Sequence, residues 1–208
     1  MAGRFRFWFK TFSFRADSSD VVPRLIAGLV VAGVLAFVEL SQGGAALSHK
    51  DSPCGPVQRW PRAMSKQQTR KVVLCLLNAE RVKARLPALR RDPRLELSSQ
   101  RHAQDMVARH YFEHVTPEGI DPQARMLAAG YPSNNALSGE NIAWATGPSA
   151  TPAAIVRLWM HSPPHREDIL RPGFVDIGVG VAAGAPETPH SSDAAATYAT
   201  DFGGPPER

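Results

Sequence analysis

The sequence predicts an α+β fold in which a central antiparallel sheet is flanked by helices. Three observations carry the prediction. Capped helical segments crowd residues 65 to 130. The stretch "FVDIGVGVAA" alternates Val175, Ile177, Val179 and Val181 on one face with small residues opposite. The polar "GAPETPHSSD" then joins it to a second strand pattern, "AATYATDFGG", as a hairpin. The chain has no internal repeat, and 208 residues suit one ordinary domain behind a leader.

The leader is residues 1–48. Arg4, Arg6, Lys10, Arg15 and Arg24 precede Leu25–Val38, fourteen apolar residues where about 20 are needed to cross a bilayer as a helix. The basic start, the length of the run and the small residues of "SQGGAALS" fit a signal peptide; an uncleaved N-terminal anchor is the alternative, and the only route to a membrane. Either way the rest of the chain is expected to be secreted or extracytoplasmic. A mature start between Ala45 and His49 follows from the signal-peptide reading.

Residues 49–64 are rich in Pro and Gly and lack periodicity, which predicts a linker. The chain has two cysteines, Cys54 and Cys75, both beyond the leader. An even count in an oxidising compartment predicts a disulfide tethering this linker to the first helix, worth about 3 kcal/mol in the chain-entropy model. The alternative is a buried thiol at Cys75, inside the apolar "VVLCLL", with Cys54 free.

The domain proper is expected over residues 65–208. Ser65 and Gln68 form an S-x-x-Q capping box before a helical pattern that runs to about Arg85, until "LPALRRDPRL" breaks it. A second helix follows at about Leu95–His110, carrying Ala103, Met106 and Val107. Asp121 as N-cap, Pro122 at the first helical position and Gly130 at the end mark a short third helix. "ENIAWAT" reads as a strand ended by "GPS", and "TPAAIVRLWM" as a helix with Thr151 as its N-cap. Trp144, Trp159, Met160 and Phe174 are expected as core between helix and sheet.

Charge narrows the partners. The first 48 residues carry five basic and three acidic side chains, which leaves 19 and 16 beyond them, and the chain's net +5 is partly the leader's. No Lys/Arg run interleaved with aromatics follows, so nucleic acid is not an expected partner.

Several short motifs mislead. "HRED" at 165–168 and "DFG" at 201–203 echo kinase signatures, but the chain lacks a Gly-rich loop, a strand lysine pattern and a catalytic-loop Asn. "HYFEH" sets His110 and His114 four apart without the Glu of a zinc-protease helix. In "WMHSPPHRED", Pro163 and Pro164 separate His161 from His165, so the two imidazoles are not expected to share a helix face.

A wider constellation is more specific. "YFEHVTPEG", "SGENIAW" and "WMHSPPHREDIL" occur in that order, followed by "IGVGVA" and "YATDFG" and preceded by "LLNAERVKARLPALRRDPRL". Over about residues 72–204 this order resembles the CAP superfamily, the cysteine-rich secretory, antigen 5 and pathogenesis-related proteins, and especially its bacterial SCP-like extracellular branch. The resemblance implies an α–β–α sandwich whose open cleft receives His114, Glu140 and His165. Two imidazoles and a carboxylate are a donor set suited to Zn²⁺ or a similar divalent metal with one position left open. Asn141 and His161 stand beside them as neighbours able to orient the set. The bland alternative is a hydrogen-bonded core brace that takes no ligand, since buried imidazoles and carboxylates persist when paired.

Two departures from the family pattern stand out. Ser162 occupies the position where many animal and plant members place a second Glu, with Glu113, Glu167 and Asp168 as nearby substitutes. Pro164 replaces the Gly usual in bacterial relatives, and a turn needing positive φ could not form there. For function, the first expectation is a module whose cleft holds a metal and which binds a lipid, glycan or envelope protein. The alternative is a metal-dependent, peptidase-like hydrolase using the same cleft; Ser138, two residues before Glu140, is a nucleophile candidate but lacks a nucleophile-elbow sequence and is expected in a turn. A purely structural envelope protein is a third reading. The fold does not choose among them.

Overall fold

The protein was analysed as a computed structural model that describes residues 10–13, 52–132, 137–187 and 195–205. The apolar run at Leu25–Val38 lies outside those residues. Among the described residues no helix is long and apolar enough to cross a membrane.

Helix α1 (Lys66–Lys83) starts as expected. The Ser65 side chain accepts from Gln68 N–H while the Gln68 side chain accepts from Ser65 N–H. Helix α2 (Pro93–Arg109) begins two residues before the predicted start, because Asp92 caps it by accepting from the Arg94 and Leu95 amides and Pro93 fills a position that needs no donor. Helix α3 (Pro122–Ala128) has Asp121 as N-cap, and α4 (Pro152–His161) has Thr151.

The sheet comprises β1 (Lys10–Ser13), β2 (Arg90–Arg91), β3 (Leu137–Thr146), β4 (Asp176–Ala183) and β5 (Ala195–Gly204), in the order β1-β3-β5-β4-β2. It is antiparallel apart from one short parallel pair, β2 with β4, made where the chain leaves the α1–α2 connection. Among the described residues that pair is the one departure from an all-antiparallel sheet. Ser138 sits inside β3 opposite Gly203, not in a turn.

Helices cover both faces, which gives the α–β–α sandwich. On one face Val73 and Leu77 of α1 and Ile155, Val156 and Trp159 of α4 pack with Ile177, Val179, Val181, Tyr198 and Phe202. On the other, Ala103 and Met106 of α2 pack with Ile142, Ala182 and Ala199. The small residues alternating with the valines of β4 have a clear use: a Cβ on Gly178 would lie 2.0 Å from the Leu95 carbonyl carbon, and one on Gly180 2.2 Å from the Ser99 carbonyl oxygen. Only glycine lets α2 approach the sheet this closely. Trp159 and Phe174 are fully buried, whereas Trp144 and Met160 are half-buried at the margins of the two clusters.

Cys54 and Cys75 form a disulfide, so the segment before α1 is pinned to it. Arg81 is an unexpected core residue. It is fully buried, and its guanidinium donates to the carbonyls of Pro87, Ile169, Arg171 and Phe174, tying α1 to the chain that leads into β4.

Candidate functional site

The segment from Ser162 onward is a helix, α5 (Pro163–Ile169), with Ser162 as its N-cap residue. Both prolines occupy the first turn, where helical N–H groups have no intrahelical partner, so proline is tolerated there. No positive φ is required: Ser162 has φ −98°, and among the described residues the positive-φ ones outside glycine are Arg85 and His110. Pro164 therefore fits the backbone it is given. His161 ends α4 and His165 lies on α5, so the two histidines stand on separate helices, as the prolines predict.

Glu140 is the centre of the site. It projects from β3, is fully buried, and has both carboxylate oxygens engaged. His114 Nδ1 lies 2.7 Å from Oε1 and donates to it, and Arg125 Nη2 donates to Oε2 at 2.6 Å. Arg125 is anchored in turn by donating from Nη1 to the His114 and Ile120 carbonyls, at 2.7 and 3.0 Å. The loop that supplies His114 and the helix that supplies Arg125 are thus locked to one carboxylate.

Two further titratable groups complete the cluster. His102 of α2 has its Nε2 3.8 Å from Glu140 Oε1 and 3.0 Å from the Glu113 carbonyl, to which it donates. Asp201 of β5 is the cross-strand partner of Glu140 and is also fully buried, with the Ser98 hydroxyl beside it. Two carboxylates directly opposite on neighbouring strands repel each other when both are ionised. The environment resolves this by splitting them. Burial, then the charge of Glu140, pushes Asp201 well above its ordinary value, so it holds its proton to higher pH than a free carboxylate. Burial also works against an ionised Glu140, but opposite charge and the hydrogen bond from His114 outweigh it, holding Glu140 well below that range. Burial drives His102 down to about 4, so at neutral pH it is uncharged and Arg125 is the cation that neutralises Glu140; at lower pH protonated His102, and then Arg125, hold Glu140 ionised against its burial.

His165 belongs to a neighbouring arrangement. Its Nδ1 lies 2.7 Å from Ser162 Oγ, and its backbone carbonyl accepts from Asn141 Nδ2 at 3.0 Å. Successive strand residues point to opposite faces. Glu140 thus serves the side of α2 and α3 while Asn141, next in sequence, holds α5. Ser162, standing where a second Glu would be, supplies the hydroxyl that His165 engages. His161 is exposed at the end of α4, its Nδ1 2.7 Å from the Arg157 carbonyl, and contributes to neither arrangement.

The expected donors do not fit a divalent cation as they stand. Among the described residues no three His, Cys, Asp or Glu side chains converge to hold one. Glu140 already satisfies a permanently cationic guanidinium at 2.6 Å, which would repel a second cation. The expected opening to solvent is also missing, since His114, Glu140 and His165 are 6%, 0% and 0% exposed. Glu140, paired with Arg125 and hydrogen-bonded by His114, has the geometry of a brace, and His165 is not part of it.

With fold and site in place, comparison with known proteins decides the family. The model of the cysteine-rich secretory protein family, CAP, matches residues 74–188, which include α1 from Leu74 onward, His114, Glu140 and His165. The chain belongs to the cysteine-rich secretory protein family. This CAP domain is 41% identical over 110 residues to the uncharacterised protein YkwD of Bacillus subtilis, covering 53% of this chain and 41% of that one. It is 31% identical over 130 residues to the uncharacterised membrane protein YlbC of the same organism, 58% of this chain and 36% of that one. It therefore spans about two fifths of the length of these curated relatives. Among solved structures, an outer surface protein of Borrelia burgdorferi superposes with a TM-score of 0.57 at 20% identity, covering 68% of this chain and 96% of that one. An extracellular SCP-domain protein of Bacillus anthracis superposes with a TM-score of 0.54 at 22% identity, covering 69% and 44%. These two establish the shared CAP fold.

Arg125, His102 and Asp201 carry no signal as single letters in the sequence. Asp201 becomes legible only through the β3–β5 register that sets it opposite Glu140.

Proposed function

We propose that this CAP domain works outside the cytoplasm as a binding module, and that its Glu140 cluster is a structural brace. The observation that carries the proposal is the engagement of both Glu140 oxygens by His114 and Arg125 in a fully buried position. A general base or a water-activating metal ligand needs a lone pair facing substrate or solvent, and this carboxylate is fully buried with each oxygen already engaged by the protein. The Ser162–His165 contact is the feature a hydrolase reading can claim. It joins a half-buried serine to a fully buried imidazole three residues on, within the first turn of α5, which suits bracing a helix start better than attack on a substrate. Extracytoplasmic placement is supported by the basic and apolar leader, by the disulfide, and by similarity to proteins described as membrane, outer surface and extracellular.

The ligand surface we assign is the open groove along α4 and α5, about 560 Å³, lined by Met160, His161, Pro163, Arg166, Leu170 and Arg171 among others. Apolar side chains beside two arginines, with Glu167 as the acidic member, suit an anionic amphiphile such as an envelope lipid. Sedimentation with phosphatidylglycerol vesicles and with phosphatidylcholine vesicles tests this. Binding to the anionic vesicles alone, weakened by salt and lost in Arg166→Glu/Arg171→Glu, is expected; equal binding by wild type and double variant would overturn it.

A further inference from the structure

The edge of β3 is the least guarded part of the sheet. One side of β3 pairs with β5 along its whole length, from Leu137 opposite Gly204 to Thr146 opposite Ala195. The other side is covered at Gly139–Ile142 by β1, antiparallel, with Ser13 opposite Gly139, Phe12 opposite Glu140, Thr11 opposite Asn141 and Lys10 opposite Ile142. Edge strands are ordinarily protected by lysine, proline, a bulge or a projecting charge. "LSGENIAWAT" has neither lysine nor proline, and its one charged side chain, Glu140, is buried and bound to His114 and Arg125. The residues here are also held firmly: Glu140 by His114 and Arg125, and Asn141 to the His165 carbonyl. A rigid edge of this kind, once β1 is withdrawn, is a template for a further strand.

The segment seated on that edge cannot stay there in an exported protein. Lys10–Ser13 lies before the apolar run Leu25–Val38, and the domain lies after it. If that run crosses or enters the membrane during export, the two ends of the pairing fall on opposite sides, and removal of the leader takes β1 away altogether. We infer that Gly139–Ile142 of β3 is a strand-acceptor site, which in the exported domain receives an extended peptide segment of a partner polypeptide. Main-chain hydrogen bonds would supply the affinity, and "FWFKTFSF" (residues 7–14), rich in aromatics with Thr and Ser between, indicates the β-prone composition that suits the edge. This rests on the extracytoplasmic reading above.

The experiment uses the protein as cells export it, with intact mass first deciding whether residues 10–13 are retained. If they are, the export-with-cleavage reading fails independently, and a Thr11→Pro/Phe12→Pro variant of the chain empties the edge. Either form is then titrated with the synthetic peptide FWFKTFSF, while amide exchange is followed residue by residue. Because residues of an antiparallel pair alternate between bonded and non-bonded positions, a peptide with proline at both Thr11 and Phe12 loses the ladder donor in either phase. The expected result is at least tenfold slower exchange of outward-facing amides within Gly139–Ile142, with β4 unchanged and no effect from the proline peptide. Unchanged exchange at Gly139–Ile142 with millimolar peptide, or equal protection by the proline peptide, would overturn the assignment.

Discussion

Arg125 Nη2 donates to Glu140 Oε2 at 2.6 Å, and the carboxylate it neutralises is fully buried. Removing the arginine would leave an uncompensated charge inside the fold, a situation that costs about 3–5 kcal/mol. Arg125→Met is therefore expected to lower the urea midpoint strongly, and Arg125→Met/Glu140→Gln to recover part of the loss. A single variant as stable as the wild type would show that the pair is not a brace.

Stability should fall in mild acid because of His102. Its folded-state pKa is lowered to about 4 from an ordinary 6.5 by burial. Between those values the unfolded chain binds a proton that the folded chain does not, so stability is lost as pH drops through that window, at about 1.4 kcal/mol per pH unit. Glu140, held below the carboxylate range, adds a loss that begins only below its unfolded value near 4.5. Asp201, raised by burial, works in the opposite direction above its unfolded value near 3.8, so the His102 contribution is read by urea unfolding as a difference: the stability of the wild type relative to His102→Gln should fall by about 1.4 kcal/mol per pH unit as pH drops from about 6.5 to about 4.5. A wild-type-minus-variant difference that does not change with pH would contradict the assignment.

Arg81 is predicted to matter as much as any apolar core residue. Arg81→Met keeps the stem but leaves the carbonyls of Ile169, Arg171 and Phe174 without their guanidinium donors. Buried acceptors stranded this way cost about 1–3 kcal/mol each at most, so a loss of about 3 kcal/mol in total is expected by chemical denaturation. A change below 1 kcal/mol would mean that the carbonyls find water.

Gly178→Ala and Gly180→Ala should each push α2 off the sheet. The added Cβ meets helix backbone, which cannot rotate away as a side chain can. Overpacking of this kind costs about 1–3 kcal/mol. Thermal unfolding of both variants, with Gly119→Ala as a control where no atom lies within 4 Å but φ is positive, separates steric crowding from backbone strain.

The sequence revealed what local chemistry determines. The Ser65–Gln68 box, the Asp121 and Thr151 caps and the valine alternation of β4 are written in residues a few positions apart, and each element appears where those signals put it. Helix α5 was obscured because two prolines look like a break until they are placed in a first turn. The short parallel pairing of Arg90–Arg91 with Asp176–Ile177 links residues 86 apart and leaves no periodic trace. At the site, the family pattern identified His114, Glu140 and His165, and the structure joins the first two in a hydrogen bond. The partners that set the chemistry, Arg125, His102 and Asp201, come from α3, α2 and β5, and only tertiary packing brings them to Glu140.

Zinc titration of metal-free protein, read by thermal unfolding above pH 7, tests the central claim most directly. Ligand that binds only the folded state at 100 times its dissociation constant adds about 2.7 kcal/mol, which for a domain of this size is about 5–10 °C in Tm. The brace predicts no such shift in the wild type and a marked loss of metal-free stability in His114→Ala, because Glu140 loses one of its two partners. A zinc-dependent rise of that size, abolished by His114→Ala while the metal-free variant stays as stable as the wild type, would contradict the brace and establish a metal site.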